Sequence, residues 1–142
     1  MTIKEAKRFS NRLFDAVLRL LPQLGPETVL PSADHIRLIL KSKNTHLLIA
    51  ETGKEIVGFL TVVTYVVPTG TRFWIEDVIV DESQRGKGIG KELMLYAIDF
   101  ARAHGAKQID LTSRPFRTAA NDLYKKLGFE LRETNSYRYL FV

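Results

Sequence analysis

A mixed α/β fold, a mostly antiparallel sheet flanked by helices, is what the sequence predicts, and three observations predict it. Between residues 45 and 80, three runs rich in β-branched and aromatic side chains follow one another across short Gly- and Pro-containing turns. After Val80 the apolar spacing switches to that of a helix and then back to that of a strand. That strand–helix–strand unit makes a crossover, so the two strands it joins are parallel, whereas the tight turns before it imply an antiparallel meander. At 142 residues, without internal repeats or a long linker, one domain over 1–142 is expected.

Each element has its own justification. Thr2 to Ala6 reads as a short opening strand, and Arg8 to about Leu21 as a helix with Phe14, Val17, Leu18 and Leu21 at helical spacing. Pro22, Pro26 and Pro31 break it, and Ser32 is a fitting N-cap for a shorter helix ending near Lys41. Strands follow at 45–51, 55–66 and 71–80, the last being the fourth of the chain. A helix from Gly88 to His104 carries Ile89, Leu93, Met94, Ala97 and Ala101 on one side, and Gly105 stops it. A fifth strand at 107–113, a helix at 117–127 and a last pair of strands at 129–133 and 137–141 complete the chain.

Composition narrows the chemistry. There is no cysteine, which excludes disulfides, a cysteine nucleophile and thiolate metal sites. His35, His46 and His104 are scattered without metal-ligand spacing, so no metal is expected. No run approaches the ~18 apolar residues of a membrane span, and the charged amino terminus has no secretory h-region, so a cytoplasmic protein is expected. The net charge of +5 suggests an anionic ligand. Its bases are dispersed apart from one glycine-rich loop, which argues against nucleic acid as the partner.

That loop is Gln84-Arg85-Gly86-Lys87-Gly88-Ile89-Gly90-Lys91, between a strand and a helix. Free backbone amides and the helix dipole attract anions there, and glycines let a diphosphate approach. Arg85, Lys87 and Lys91 add positive charge. The alternative is a tight turn with no ligand. A P-loop is excluded because Gly86 to Gly90 is one residue short and Glu92 stands where a hydroxyl should be. A dinucleotide fingerprint is excluded because the third glycine comes one position early.

Arg85-x-x-Gly88-x-Gly90 resembles the R/Q-x-x-G-x-G/A loop of the GCN5-related N-acetyltransferases, the GNAT family. Ile75-Glu76-Asp77-Val78-Ile79-Val80 is similar to the family's fourth strand, and the segment from Ala120 to Phe129 resembles its asparagine–tyrosine region. The likeness is strong over 55–133. It implies an acyl-CoA N-acyltransferase fold whose fourth and fifth strands splay apart for the cofactor, and a transferase moving acetyl from acetyl-CoA to a primary amine. The loop residues Arg85, Gly86, Lys87, Gly88, Ile89, Gly90 and Lys91 would cradle the pyrophosphate, backbone groups of Val78, Ile79 and Val80 would pair with pantetheine, and Asn121 would help hold the cofactor. A homodimer is expected on the same ground. A non-catalytic acyl-CoA-binding regulatory module is the alternative.

Direct attack on a thioester needs no protein nucleophile, in keeping with the missing cysteine. Tyr124, three residues after Asn121 and on the same helix face, is the candidate general acid for the thiolate; the other reading is a core aromatic. Glu76 is the candidate base, with Asp77 or ordered water as competitors. Strict alternation puts Glu76 with Trp74, Val78 and Val80, and Asp77 with Ile75 and Ile79, on opposite faces. Either carboxylate could instead form a buried salt bridge. Arg114 and Arg117 could meet an acidic acceptor or a cofactor phosphate, or be solvated loop charges, and Tyr137 and Tyr139 could line an acceptor site or a dimer contact.

Overall fold

Two serines set where the amino-terminal helices begin. Ser10 accepts a hydrogen bond from the amide of Leu13 at 3.1 Å and caps α1 (Asn11–Leu20), and Ser32 accepts one from His35 at 3.1 Å and caps α2 (Ala33–Lys41). Each such cap stabilises its helix by about 1 kcal/mol. α1 therefore starts three residues later than apolar spacing alone suggests. A 3-10 turn at Leu21–Leu24, opened by Pro22, ends it.

The computed structural model describes all 142 residues, which divide into two compact units, 1–112 and 113–142. In the first, five strands lie in the order β1-β2-β3-β4-β5: β1 (Thr2–Glu5), β2 (Thr45–Thr52), β3 (Glu55–Val67), β4 (Gly70–Val80) and β5 (Asp110–Leu111). The first three pairings are antiparallel and β4–β5 is parallel, as the turn lengths require. Leu47 to Ala50 are all buried, because both faces of the sheet are covered. On one face, Leu47, Ile49, Phe59 and Ile79 pack against Leu13, Val17, Leu20 and Ile36 of α1 and α2. On the other lies α3 (Ile89–Ala103), whose Leu93, Met94 and Ala97 are wholly buried. Gly58 allows this approach: a Cβ there would stand 3.2 Å from Leu93 Cδ1 and 2.8 Å from the Ile79 carbonyl.

The register shifts by one residue between Phe59 and Thr61, where β4 bulges. Thr61 faces Glu76 while Phe59 faces Ile79, so three steps on β4 match two on β3. Asp77 sits in the bulge with φ +50°, unlike any other non-glycine residue of the chain. A bulge bends and twists its strand. The β4–β5 ladder stops at that point, with Trp74 opposite Asp110 and Ile75 opposite Leu111, so β5 has two residues rather than the expected seven.

The second unit contains α4 (Thr118–Lys126), close to the helix expected at 117–127. The strands expected at 129–133 and 137–141 do not form. Residues 129–142 have no helix or strand, and Leu131, Tyr137, Tyr139 and Phe141 are exposed. Aromatic and β-branched composition marks what suits a ladder, but a strand exists only where a partner supplies the hydrogen bonds.

Candidate active site

The glycine loop follows β4 directly. Asp81 caps a short 3-10 turn (Glu82–Gln84) by accepting from the amide of Ser83 at 3.1 Å, and its own amide donates to the Val57 carbonyl at 2.8 Å. Gly86 and Gly88 then take φ +79° and +81°, a left-handed conformation that costs a side-chain-bearing residue about 1–2 kcal/mol. Gly88 caps α3, and the first main-chain bond of that helix runs from Glu92 to Gly88 at 3.0 Å. The amides of Ile89, Gly90 and Lys91 thus leave the helix end without a partner inside it. Arg85, Lys87 and Lys91 are exposed beside them; Lys87 Nζ donates to Gln84 Oε1 at 3.0 Å and Arg85 Nε to the Val80 carbonyl at 3.4 Å. This arrangement fits a diphosphate.

On β4, residues Glu76 to Val80 run on beyond the last β5 pair, so their outward main-chain groups have no strand partner on that side. This is the stretch in which Val78, Ile79 and Val80 were expected to meet an extended ligand. Strict alternation is corrected here. Across the bulge, Ile75 shares a face with Val62 and Ile79 shares the opposite one with Phe59, so Ile75 and Ile79 do not share a face, and Val80 does not share one with Trp74 and Glu76. Glu76 and Asp77 are both exposed, and neither forms an ion pair or hydrogen bond, which removes the buried-salt-bridge alternative. Partial burial and the neighbouring negative charge of Asp77 together push the Glu76 carboxyl above its ordinary range.

Asp77 also lines a cavity of about 320 Å³. Phe59, Thr61 and Leu47 form its floor, Val17, Leu21 and Leu24 one wall, and His35, Ile36 and Ile39 the other, with Thr28, Val29 and Pro31 from the connecting loop. Spacing along the sequence does not reveal this cavity, whose walls come from separate elements. Two adjacent carboxylates interrupting an apolar strand were the available signal for the bulge, since Asp is enriched among residues at positive φ.

In the second unit, both Asn121 amide hydrogens are used within the unit, donated to the carbonyls of Arg114 at 3.0 Å and Arg117 at 2.9 Å. Asn121 therefore braces the turn leading into α4, and its Oδ1 is left to accept. Tyr124, the buried residue of α4, packs edge-on against Phe129 with ring centroids 6.0 Å apart. Burial pushes its hydroxyl above the usual tyrosine range, against a smaller opposing pull from the positive charge of Arg117. Arg114 is exposed and Arg117 half-buried, and neither is in an ion pair.

Known proteins agree with this architecture. A family model described as the acetyltransferase (GNAT) family matches residues 12–129. The streptothricin acetyltransferase of Streptomyces lavendulae is 43% identical over 58 residues, 41% of this chain and 31% of that protein. The mycothiol acetyltransferase of Corynebacterium glutamicum is 32% identical over 93 residues, 66% of this chain and 31% of that protein. The chain thus spans about a third of the length of either relative. Among solved structures, one described as a transcriptional regulator from Bacillus halodurans is 31% identical, covers 99% of both chains and superposes with a TM-score of 0.82. An aminoglycoside acetyltransferase from a soil metagenome, 21% identical over 99% of this chain and 95% of its own, shares the fold with a TM-score of 0.86. With the family's model running through the glycine loop, the bulged strand and the asparagine–tyrosine helix, this chain belongs to the GNAT acetyltransferase family.

Proposed function

We propose that the chain is a single N-acetyltransferase domain that uses acetyl-CoA to acetylate a primary amine. The observation that carries this reading is the continuity of three features in the first unit: the cavity reaches Asp77, Asp77 lies in the stretch of β4 left without a β5 partner, and that stretch leads straight into the glycine loop. An extended ligand with an anionic end fits the stretch and the loop, and an amine fits the cavity beside them.

Bound acetyl-CoA would supply an activated acyl group on a good thiolate leaving group. The chain's residues do the rest. The amides of Ile89, Gly90 and Lys91, with Arg85, Gly86, Lys87 and Gly88, hold the diphosphate. The free edge at Val78, Ile79 and Val80 takes the pantetheine arm as an added strand, and one of its amides polarises the thioester carbonyl. Asn121 keeps the turn before α4 in shape. Glu76, with its raised pKa, accepts the proton that the ammonium must lose, directly or through water. Tyr124, kept protonated by burial, donates to the leaving sulfur. A cytoplasmic homodimer completes the reading; no helix is long and apolar enough to cross a membrane.

The test is release of free thiol on incubation with acetyl-CoA and a panel of amines. The chain has no cysteine, so the thiol signal comes from CoA alone. Calorimetry showing no CoA binding would sink the proposal. A second reading, a non-catalytic acyl-CoA-binding regulator, draws on the Bacillus halodurans structure described as a transcriptional regulator. Saturable CoA binding without turnover of any amine on the panel would favour it.

A further inference from the structure

The cavity beside the bulge is lined mainly by apolar side chains, with Thr28, His35, Thr61 and Asp77 as its polar ones. Nine of its thirteen lining residues are apolar, among them the buried Leu21, Ile36, Leu47 and Phe59. It carries a single carboxylate, Asp77, which has no counter-ion in the chain. On a protein of net charge +5, an unpaired carboxylate in a mainly apolar pocket is complementary to one cation with an apolar body. A polyhydroxylated or polycationic molecule would find only Thr28, Thr61, His35 and one carboxylate to replace the water it loses there.

The volume sets the size. At about 320 Å³ the cavity stands at the small end of the range for ligand pockets. We infer that the acceptor is a small primary monoamine with an aryl or alkyl body, its ammonium held by Asp77 and its body seated against Phe59, Leu47 and Ile36. This rests on the acetyltransferase reading for the fate of the amine, but its binding component does not. Glu76 is left to take the proton while Asp77 anchors the ammonium, so the two adjacent carboxylates have different tasks.

Steady-state thiol release with 2-phenylethylamine and hexylamine, against spermidine, glucosamine 6-phosphate and an aminoglycoside, tests the class. The expected result is a kcat/KM at least 100-fold higher for the two monoamines. Preference for spermidine, the amino sugar phosphate or the aminoglycoside would overturn the inference and leave the acetyltransferase reading standing. If no amine turns over, that reading falls instead, and calorimetry decides the inference: 2-phenylethylamine should bind at least tenfold more tightly than neutral 2-phenylethanol. Asp77→Asn should abolish that difference, and asparagine accepts the positive φ, so the bulge is retained. Equal binding of the amine and the alcohol by the unaltered protein would overturn the inference.

Discussion

The guanidinium of Arg19, in the last turn of α1, is hydrogen-bonded to the carboxylate of Asp81, the residue that follows β4 and caps the turn into the glycine loop. The same guanidinium donates to the Ile56 carbonyl at 2.7 Å and stands 3.6 Å from Glu55 Oε1. Asp81 is the one buried charged residue of the chain, and its other oxygen accepts from the Ser83 amide. A charged group with its partners in place stabilises, and the same group stripped of one partner is costly. Asp81→Asn should therefore lower unfolding free energy by about 1.5–3 kcal/mol, the range for hydrogen bonds to charged groups. Urea denaturation at neutral pH measures it, and an unchanged midpoint would show that the pair does not hold the loop's base.

Acid stability follows from the same pair. Burial by itself would raise the Asp81 carboxyl, but the bonds from Ser83 and Arg19 outweigh it and hold the group below its ordinary range. Glu51 behaves alike, with Lys4 at 3.2 Å and Arg12 at 3.0 Å outweighing its burial. Both carboxyls bind protons less readily folded than unfolded. Their stabilisation is fully present above the unfolded values, near pH 4, and is lost as pH falls through the lowered folded ones. Asp81→Asn should flatten the fall in stability below pH 4. A slope equal to that of the unaltered protein would contradict the assignment.

Much of this was legible locally. The glycine loop is recognisable because positive φ, free amides and bases are all encoded within eight consecutive residues. The buried face of α3 follows from spacing, with Ile89, Leu93, Met94, Ala97 and Ala101 each buried. The bulge was not legible, because alternation assumes an unbroken ladder and Asp77 breaks it. Nor was the cavity, since Val17, Ile36, Phe59 and Asp77 meet only once the chain is folded. The missing strands at 129–133 and 137–141 show the other limit, because pairing partners are not written in the segment itself.

Gly88 and Gly105 make a matched comparison at the two ends of α3. Their φ values are +81° and +85°, and a Cβ at either would meet nothing within 4 Å. Valine at either site should cost about 1–2 kcal/mol through backbone strain alone. Only Gly88→Val should also weaken CoA binding, by at least tenfold in calorimetry, because only that glycine shapes the anion-facing end. Equal CoA affinity in the two variants would place the diphosphate elsewhere.

Tyr124→Phe removes one hydroxyl from a side chain whose ring already packs on Phe129. The fold and CoA affinity should be retained while kcat falls by about 10²-fold or more, as for loss of a general acid. A thioester with a more acidic leaving thiol should recover part of the rate, which a purely structural role for Tyr124 would not permit. Unaltered kcat would return Tyr124 to the core.

The pH dependence of turnover separates the two carboxylates. Glu76 must be ionised to accept a proton, and desolvation together with the charge of Asp77 raises its pKa. The acidic limb of kcat should therefore lie above the ordinary glutamate range, near 4.3, and Glu76→Gln should remove that limb along with most of the rate. Asp77→Asn deletes the neighbouring negative charge, which makes Glu76 easier to ionise. In that variant the limb should move to lower pH while KM for the amine rises. Loss of the limb in Asp77→Asn, with its retention in Glu76→Gln, would exchange the roles of the two residues and make Asp77 the proton acceptor.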